Sequence, residues 1–186
     1  MLVLASASPR RRELLRLIAP EFEVLSVDLD ERAITADCPA ALVEKLASAK
    51  AAAAAAAARR PDAVVLGCDT VVDLDGQVLG KPADRSEAEQ MLRALSGRSH
   101  LVHTGVCAIQ NGAAHTLVET TRVFFSPISE EEIAAYVSTE EPYDKAGGYA
   151  IQGGAARFVT RIEGCYFNVM GLPVSALYRL LRSLEI

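Results

Sequence analysis

Asp69 is the acidic residue whose setting most strongly suggests chemistry. It lies in Gly67-Cys68-Asp69-Thr70, after an apolar run at 63–66 that predicts a buried strand ending near Asp69. Ligands of open α/β sheets bind beyond the carboxyl ends of strands. A desolvated carboxylate needs a metal ion, a hydrogen-bond donor or a cation as its partner. Asp69 therefore either binds a ligand or has a structural role, in which it caps a turn or pairs with an arginine.

A second polar group follows the first predicted strand, residues 2–4. Ser6 and Ser8 belong to a turn of small residues, and Ser8 followed by Pro9 is typical of a helix start. Free backbone N–H groups and the positive end of the helix make such a turn suitable for an anion. Arginines fill positions 10–12 of the same first turn, where each exposed cation is unfavourable by roughly 0.3–1 kcal/mol unless an anion is bound. This conflict favours phosphate binding over the alternative, surface ion pairs.

Lys50 could bring a further cation to the same place. It lies on the apolar face of an alanine-rich helix that is predicted from about residue 39 to about residue 60, before Pro61. Its ammonium group either reaches back to solvent or enters a phosphate pocket.

An acidic cluster could supply more oxygen ligands. Asp28, Asp30 and Glu31 follow a strand predicted over 22–27. They form either a solvated loop, which is the commoner case, or a ligand set for a hard cation.

The second half of the chain contains the turns that shape the rest of the fold. Asp75-Gly76 and Asn111-Gly112 each predict the turn of an antiparallel hairpin. Capping boxes at Ser86-x-x-Glu89 and Ser129-x-x-Glu132 predict two helix starts. The remaining predictions are strands at 101–109, 116–125 and 158–162, a helix end at Gly97 and a last helix at 174–184. Hairpins among helices indicate a mixed sheet.

Two further stretches combine glycine with polar residues. Lys81 lies in Gly80-Lys81-Pro82, and Gln152 lies in a glycine-rich stretch at 143–154. Glycines allow a backbone to approach a ligand closely, although the same composition also suits a flexible surface loop.

Length and composition limit the class of protein. The chain has 186 residues, of which 51% are hydrophobic and 23% charged, so we expect one globular domain over residues 1–186. A net charge of -5 argues against general nucleic-acid binding. The sequence contains no membrane-length apolar run and no basic region that would begin a signal peptide. Four scattered cysteines without a CxxC motif fit a reducing cytoplasm.

Taken together, these stretches have a specific order and spacing. They occupy residues 4–11, 30–31, 46–51, 67–72, 80–82, 144–153 and 168–173. In this order they resemble the Maf family of nucleoside triphosphate pyrophosphatases, once described as septum formation inhibitors. The resemblance covers almost the whole chain, from near residue 3 to near residue 182.

The resemblance implies an α/β fold in which a large twisted mixed sheet, flanked by helices, carries two lobes with a central cleft. It implies hydrolysis of a nucleoside triphosphate between the α and β phosphates, with a divalent cation, Mg²⁺ or Mn²⁺. The branch that this chain resembles most acts on dTTP and UTP and carries Arg, Thr and Gln at the positions of Arg10, Thr70 and Gln152. A role in cell-division arrest is also implied.

The residues offer the chemistry that such a reaction requires. Attack of water on a phosphate depends on positioning and on neutralisation of charge. Phosphate could be held by the turn from Ser6 to Ser8 and by Arg11, Lys50 and Lys81, while Glu31 and Asp69 could hold the metal ion. Asp69 is the candidate catalytic residue, as base, metal ligand or both.

Two other readings stay open at the level of sequence. One is a pyrophosphatase of purine or modified nucleotides, and the other is a non-enzymatic division regulator that binds protein or nucleic acid through the arginines at 10–12. The sequence also leaves open whether the chain is a monomer or a homodimer.

Overall fold

A computed structural model describes residues 1–60 and 62–186, and within them seven strands form one mixed sheet in the order β2-β1-β3-β5-β6-β7, with β4 paired to β3. The strands are β1 (Leu2–Ala5), β2 (Glu23–Val24), β3 (Val64–Leu74), β4 (Gln77–Leu79), β5 (Ser99–Gln110), β6 (Ala113–Phe125) and β7 (Val159–Glu163). The helices are α1 (Pro9–Arg16), α2 (Pro39–Ala58), α3 (Arg85–Leu95), α4 (Glu130–Val137), α5 (Tyr166–Val169) and α6 (Val174–Ser183). Short 3-10 turns lie at Glu31–Ala33, Glu141–Asp144, Ala146–Gly148 and Gly154–Phe158.

The two faces of the sheet are covered differently. Alternate residues of a strand point to opposite faces, and the apolar ones of β3 on one face, including Leu66, join the main core. That core contains buried residues of α1, α3, α4 and α6. The opposite face, which includes Val65, is covered by α2. The expected α/β fold, with a mixed sheet, flanking helices and a cleft between two lobes, is confirmed.

Helix α2 lies unusually close to the sheet because small residues face each other there. A Cβ atom on Gly67 would lie 2.1 Å from the carbonyl oxygen of Ala47, and one on Gly105 would lie 2.3 Å from that of Val43. Gly105 of β5 is the register partner of Asp69 on β3. The alanine-rich composition of α2 therefore permits a close approach that brings the helix to the part of β3 that carries Asp69.

The prediction that Asp69 lies near a strand end is wrong, because β3 continues to Leu74 and pairs with β5 over Val65–Asp73. The strand that ends is its neighbour β1, whose last residue, Ala5, is paired with Gly67. On the same edge β4 begins to pair only at Val72. Within the described residues, positions 68–71 of β3 thus have no strand partner on this edge, and we call them the β3 gap.

Several predicted boundaries shift in the structure. The strand expected over 22–27 is limited to Glu23–Val24, and α2 ends at Ala58, where Arg59 adopts a left-handed conformation with φ 51°. Pro61, expected directly after that helix, lies outside the described residues. The predicted hairpin turns at Asp75-Gly76 and Asn111-Gly112 are confirmed.

One of the two predicted capping boxes is confirmed. Ser129 and Glu132 cap α4 reciprocally. The box expected at Ser86 is wrong, because Asp84 caps α3 by accepting the backbone N–H of Glu87 at 2.9 Å. Asp competes well with Ser as a capping residue, so the helix begins earlier. Among the described residues, no helix is long and apolar enough to cross a membrane.

Candidate active site

A cleft of about 660 Å³ opens between the lobes beside the β3 gap. The sequence-predicted site residues that line it are Ser8, Arg10, Arg11, Glu31, Lys50, Asp69, Thr70, Lys81 and Gln152. Ser6 is the exception: its hydroxyl oxygen lies behind the cleft, where it accepts from Arg11 Nη1 at 3.3 Å. Ser6 therefore positions Arg11 and does not reach into the cleft itself.

Lys50, Asp69 and Glu31 form one ionic cluster, which we call the ammonium cluster. Lys50 Nζ lies 2.6 Å from Asp69 Oδ1 and 2.9 Å from Glu31 Oε1. The Lys50 side chain is only 15% exposed, so the alternative in which it reaches back to solvent is excluded. Close packing of α2 on Gly67 and Gly105 puts the ammonium group within reach of Asp69.

The donor set of this cluster suits a hard divalent cation that is also held by a substrate. Glu31 and Asp69 share one ammonium group, so their oxygens converge on a single place. Mg²⁺ typically takes one or two carboxylates and completes its shell with phosphate oxygens and water. In residues 1–60 and 62–186 no group of three or more His, Cys, Asp or Glu side chains could hold a metal ion alone. Asp30, which belongs to the same acidic loop as Glu31, does not join the cluster, because its carboxylate accepts the backbone N–H of Arg32.

Arg11 is fixed by hydrogen bonds on the far side of the β3 gap. Its Nε donates to the carbonyl oxygen of Gly171 at 2.9 Å, and its Nη2 donates to Thr70 Oγ1 at 3.0 Å. Thr104 Oγ1 donates to the carbonyl oxygen of Asn168, so the hydroxyl proton of Thr70 must point to Thr104, 2.9 Å away. The direction of every bond in this chain is therefore set, and Thr70 offers a ligand only an acceptor.

Among the described residues, two of the other cleft cations have no protein partner, whereas a third, Lys145, donates to the carbonyl oxygen of Glu141 at 2.8 Å. Within the described part of the chain, Arg10 and Lys81 make no ion pair or side-chain hydrogen bond, and both line the cleft. The expected alternative for the arginines, surface ion pairs, does not occur at positions 10–12 of the described structure. Ser8 is the N-cap of α1, as predicted, and accepts the backbone N–H of Arg11. The cations at this helix start thus face open space that suits an anion.

Comparison with known proteins identifies the family. The family model described as "Maf-like protein" matches residues 1–184. This chain belongs to the Maf-like protein family.

Relatives of this Maf-like chain share about half of its residues. Proteins named dTTP/UTP pyrophosphatase are 54% identical in Symbiobacterium thermophilum, over 93% of this chain and 88% of the relative. The relative of the same name in Syntrophus aciditrophicus is 50% identical over 98% of this chain and 89% of the relative. The relative of the same name in Vibrio cholerae is 51% identical over 93% of this chain and 92% of the relative.

Solved structures share the fold of the Maf-like chain at much lower identity. The Staphylococcus aureus Ham1 protein superimposes with a TM-score of 0.59, at 16% identity, over 98% of both chains. A HAM1 protein from Coxiella burnetii gives 0.56 at the same identity and coverage. This likeness shows the fold alone.

Cys68, which borders Asp69, has no place in the chemistry of the Maf-like site. It points to the main core and is fully buried. Burial raises the pKa of its thiol to about 11, so the thiol stays protonated at neutral pH and is not a nucleophile.

Three residues of the Maf-like site were missed at the level of sequence. Thr104 lies opposite Thr70 in the register of β3 and β5, which a sequence alone does not fix. Glu141 lines the cleft from a 3-10 turn, and no local pattern marks it. Gly105 could have been found, because a glycine inside a predicted strand often marks close approach of another backbone.

Proposed function

We propose that this Maf-like protein hydrolyses dTTP and UTP to the nucleoside monophosphate and pyrophosphate in the cytoplasm. The observation that carries the proposal is a cleft in which Asp69, held by Lys50, faces unpaired cations. The choice of nucleotide is supported by relatives at 44–54% identity that are named dTTP/UTP pyrophosphatase.

In the proposed reaction Asp69 binds and deprotonates the attacking water. Its Oδ1 accepts from Lys50, whereas Oδ2 has no hydrogen bond to any described residue and is free to accept from water. A new bond forms between the water oxygen and the α-phosphorus while the bond to the bridging α–β oxygen breaks. The proton of the water passes to Asp69, and the electron pair leaves with pyrophosphate.

The cations of the cleft neutralise the charge of the triphosphate and of the leaving pyrophosphate. Lys81 lacks a protein partner in the described structure, and Arg11 uses three of its five N–H donors on Gly171, Ser6 and Thr70. The donors that remain can bind phosphate oxygens without any rearrangement of the Arg11 side chain. Such preorganised charge is typically the largest contribution to catalysis of phosphoryl transfer.

Glu31 and Asp69 are the residues that would hold a divalent cation, Mg²⁺ or Mn²⁺. When bound, such an ion neutralises phosphate charge and polarises the reacting phosphate. Lys50 lies between the two carboxylates and keeps them together before the substrate arrives.

We assign recognition of the base to Gln152, with Arg10 and Thr70. Uracil and thymine present a keto oxygen beside an N–H group, and a carboxamide offers a donor and an acceptor in one plane. Thr70 can act only as an acceptor, because its proton is committed to Thr104. Cytosine reverses the donor and acceptor pattern, so it would leave the polar groups of the base and of the Gln152 carboxamide mismatched.

The test is pyrophosphate release across dTTP, UTP, CTP, GTP and 7-methyl-GTP, with Mg²⁺ or Mn²⁺ and with a chelator as control. We expect dTTP and UTP to be hydrolysed best, and only with the metal. Preference for a purine nucleotide would overturn the assignment of the base. Nucleotide binding without pyrophosphate release would overturn the enzyme in favour of a regulator.

A further inference from the structure

The side chain of Gln152 is exposed and, in the described structure, makes no hydrogen bond of its own. The sequence would suggest Arg10 or Thr70 as the neighbour that orients this side chain, but neither of these described residues bonds to it. A free carboxamide could rotate by half a turn and exchange its donor and acceptor. Selection between uracil and cytosine therefore requires that something else fix the position of this residue.

The backbone around Gln152 is held in a closed turn. The N–H of Gly153 donates to the carbonyl oxygen of Ala150 at 3.0 Å, which places Gln152 inside a tight turn. Two side chains from outside the turn then hold its ends. The N–H of Ala150 donates to Tyr136 Oη at 3.1 Å, and the N–H of Gly154 donates to Glu141 Oε2 at 3.0 Å.

These two side chains are themselves bonded to each other. Tyr136 Oη donates to Glu141 Oε1 at 2.6 Å, so its hydroxyl is an acceptor for Ala150 and a donor for Glu141. The Tyr136 residue is only 2% exposed and belongs to the main core. The pair thus connects the turn on both sides of Gln152 to the core, and we call it the 136–141 clip.

The carboxylate of Glu141 also packs directly on the turn. A Cβ atom on Gly153 would lie 2.3 Å from Glu141 Oε2, so a larger residue at this position would have to displace the carboxylate. Burial opposes ionisation of Glu141, but the hydrogen bonds from Tyr136, Gly154 and Ala155 outweigh it and lower the pKa of the carboxyl group. The clip is therefore held by a full negative charge at neutral pH.

We propose that Glu141 and Tyr136 are positioning residues for base selection, which act by fixing the turn that carries Gln152. This inference rests on the proposed function, because it concerns the choice between nucleotides in the same cleft. Glu141 is thereby a poor candidate for a metal ligand, since one phenolic and two backbone donors already use three of its roughly four acceptor sites.

The test compares kcat/KM for UTP and CTP in Glu141→Gln and Tyr136→Phe, with Glu140→Gln as a control for the loss of a neighbouring charge. We expect Glu141→Gln to lower the UTP/CTP ratio roughly tenfold, since an amide in its place would direct N–H groups at N–H groups. The kcat for UTP should change by less than about threefold, because the reacting groups are untouched. Tyr136→Phe, which keeps the buried ring, should lower the ratio in the same direction, and Glu140→Gln should leave it unchanged.

A double-mutant cycle with Gln152→Ala shows whether the clip acts through Gln152. We expect Gln152→Ala to remove the preference and Glu141→Gln to have no further effect on the ratio in that background. A merely structural clip would lower the melting temperature of both clip variants and leave the ratio at the wild-type value. That result, or additive losses in the cycle, would overturn the inference.

Binding measurements separate this inference from the proposed function. Dissociation constants for UTP and CTP are measured by calorimetry in the Asp69→Asn background, with and without Glu141→Gln. If the wild type releases no pyrophosphate but the clip variant still loses the preference in binding, the enzyme assignment fails and the inference stands. If the wild type is active and the clip variant keeps the preference, the inference fails and the enzyme assignment stands.

Discussion

The two walls of the cleft both present carboxylates, yet these have different kinds of partner. On the wall formed by α2 and β3, Asp69 and Glu31 face the ammonium group of Lys50. On the opposite wall, Glu141 faces backbone N–H groups and a phenol. An ammonium group can be shared with a phosphate that enters the cleft. Backbone donors cannot be given up without unfolding the turn that they belong to.

This difference indicates how to distinguish carboxylates that can bind substrate from carboxylates that hold the fold together in a charged cleft. The α2 wall holds charges whose partners are other flexible side chains, so substrate can rearrange them. On the opposite wall, the charge of Glu141 is bound by backbone and phenolic donors that belong to the fold. A carboxylate that lines a cleft is therefore a candidate ligand only when its acceptors are still available.

The strongest test of this comparison is Asp69→Asn, which we expect to lower kcat by ~10²–10⁴-fold because the base for the water is lost. Asp73→Asn is the matched control: Asp73 is on the same face of β3 and similarly buried, but it bonds to His103 and Gly76 away from the cleft. The control should lose stability and keep its kcat. A folded Asp69→Asn protein with near-native kcat would contradict the assignment of the α2 wall to chemistry.

The positively charged residues should likewise divide into those in the cleft, which affect activity, and those outside it, which do not. Alanine substitutions of Lys50, Lys81 and Arg11 should each lower kcat/KM by about tenfold or more, since a charge-assisted hydrogen bond contributes ~1.5–3 kcal/mol. Arg59 and Arg60, at the far end of α2, provide controls of equal charge that do not line the cleft. Steady-state kinetics on all five variants decides the matter, because equal effects would mean that the cleft cations have no special role.

Close packing of α2 can be tested by Gly67→Ala. The added methyl group would push the helix, and Lys50 with it, away from β3, at a cost of about 1–3 kcal/mol for overpacking. We expect a lower melting temperature together with a reduced kcat, measured by thermal unfolding and kinetics. Ala56→Leu, on the exposed face of the same helix, should change neither. Full activity in a destabilised Gly67→Ala protein would show that the distance between helix and sheet does not position Lys50.

The smallest effect is expected behind the opposite wall, where His100 is buried and bonds to Tyr149 at 2.7 Å. Burial lowers the pKa of His100 to about 4, so the unfolded chain binds more protons than the folded one between pH 6.5 and pH 4. Stability should therefore fall as pH falls through this window, by about 1 kcal/mol between pH 7 and pH 5.5. Urea unfolding at both pH values measures it, and His100→Gln should remove that part of the pH dependence. An identical dependence in the variant would show that His100 does not titrate on unfolding.

Sequence reasoning reached the fold and most of the predicted residues that line the cleft, because its signals are local. The start of α1 at Ser8, the hairpin turns and the position of Lys50 on its helix all follow from spacing over a few residues. It failed where the answer depends on the register between distant segments. Thr104 opposite Thr70, and Tyr136 beneath the turn of Gln152, become neighbours only when the strands and lobes are assembled.

The β3 gap has a consequence for hydrogen exchange. Residues 68–71 lie in the middle of a long, buried strand, yet on one edge they have no strand partner among the described residues. Alternate amides of this stretch point away from β5. They should exchange with solvent deuterium much faster than the amides of the same strand that β5 protects, until a nucleotide fills the cleft. The interior of the sheet would then report occupancy of the site as a slowing of exchange at a few central amides.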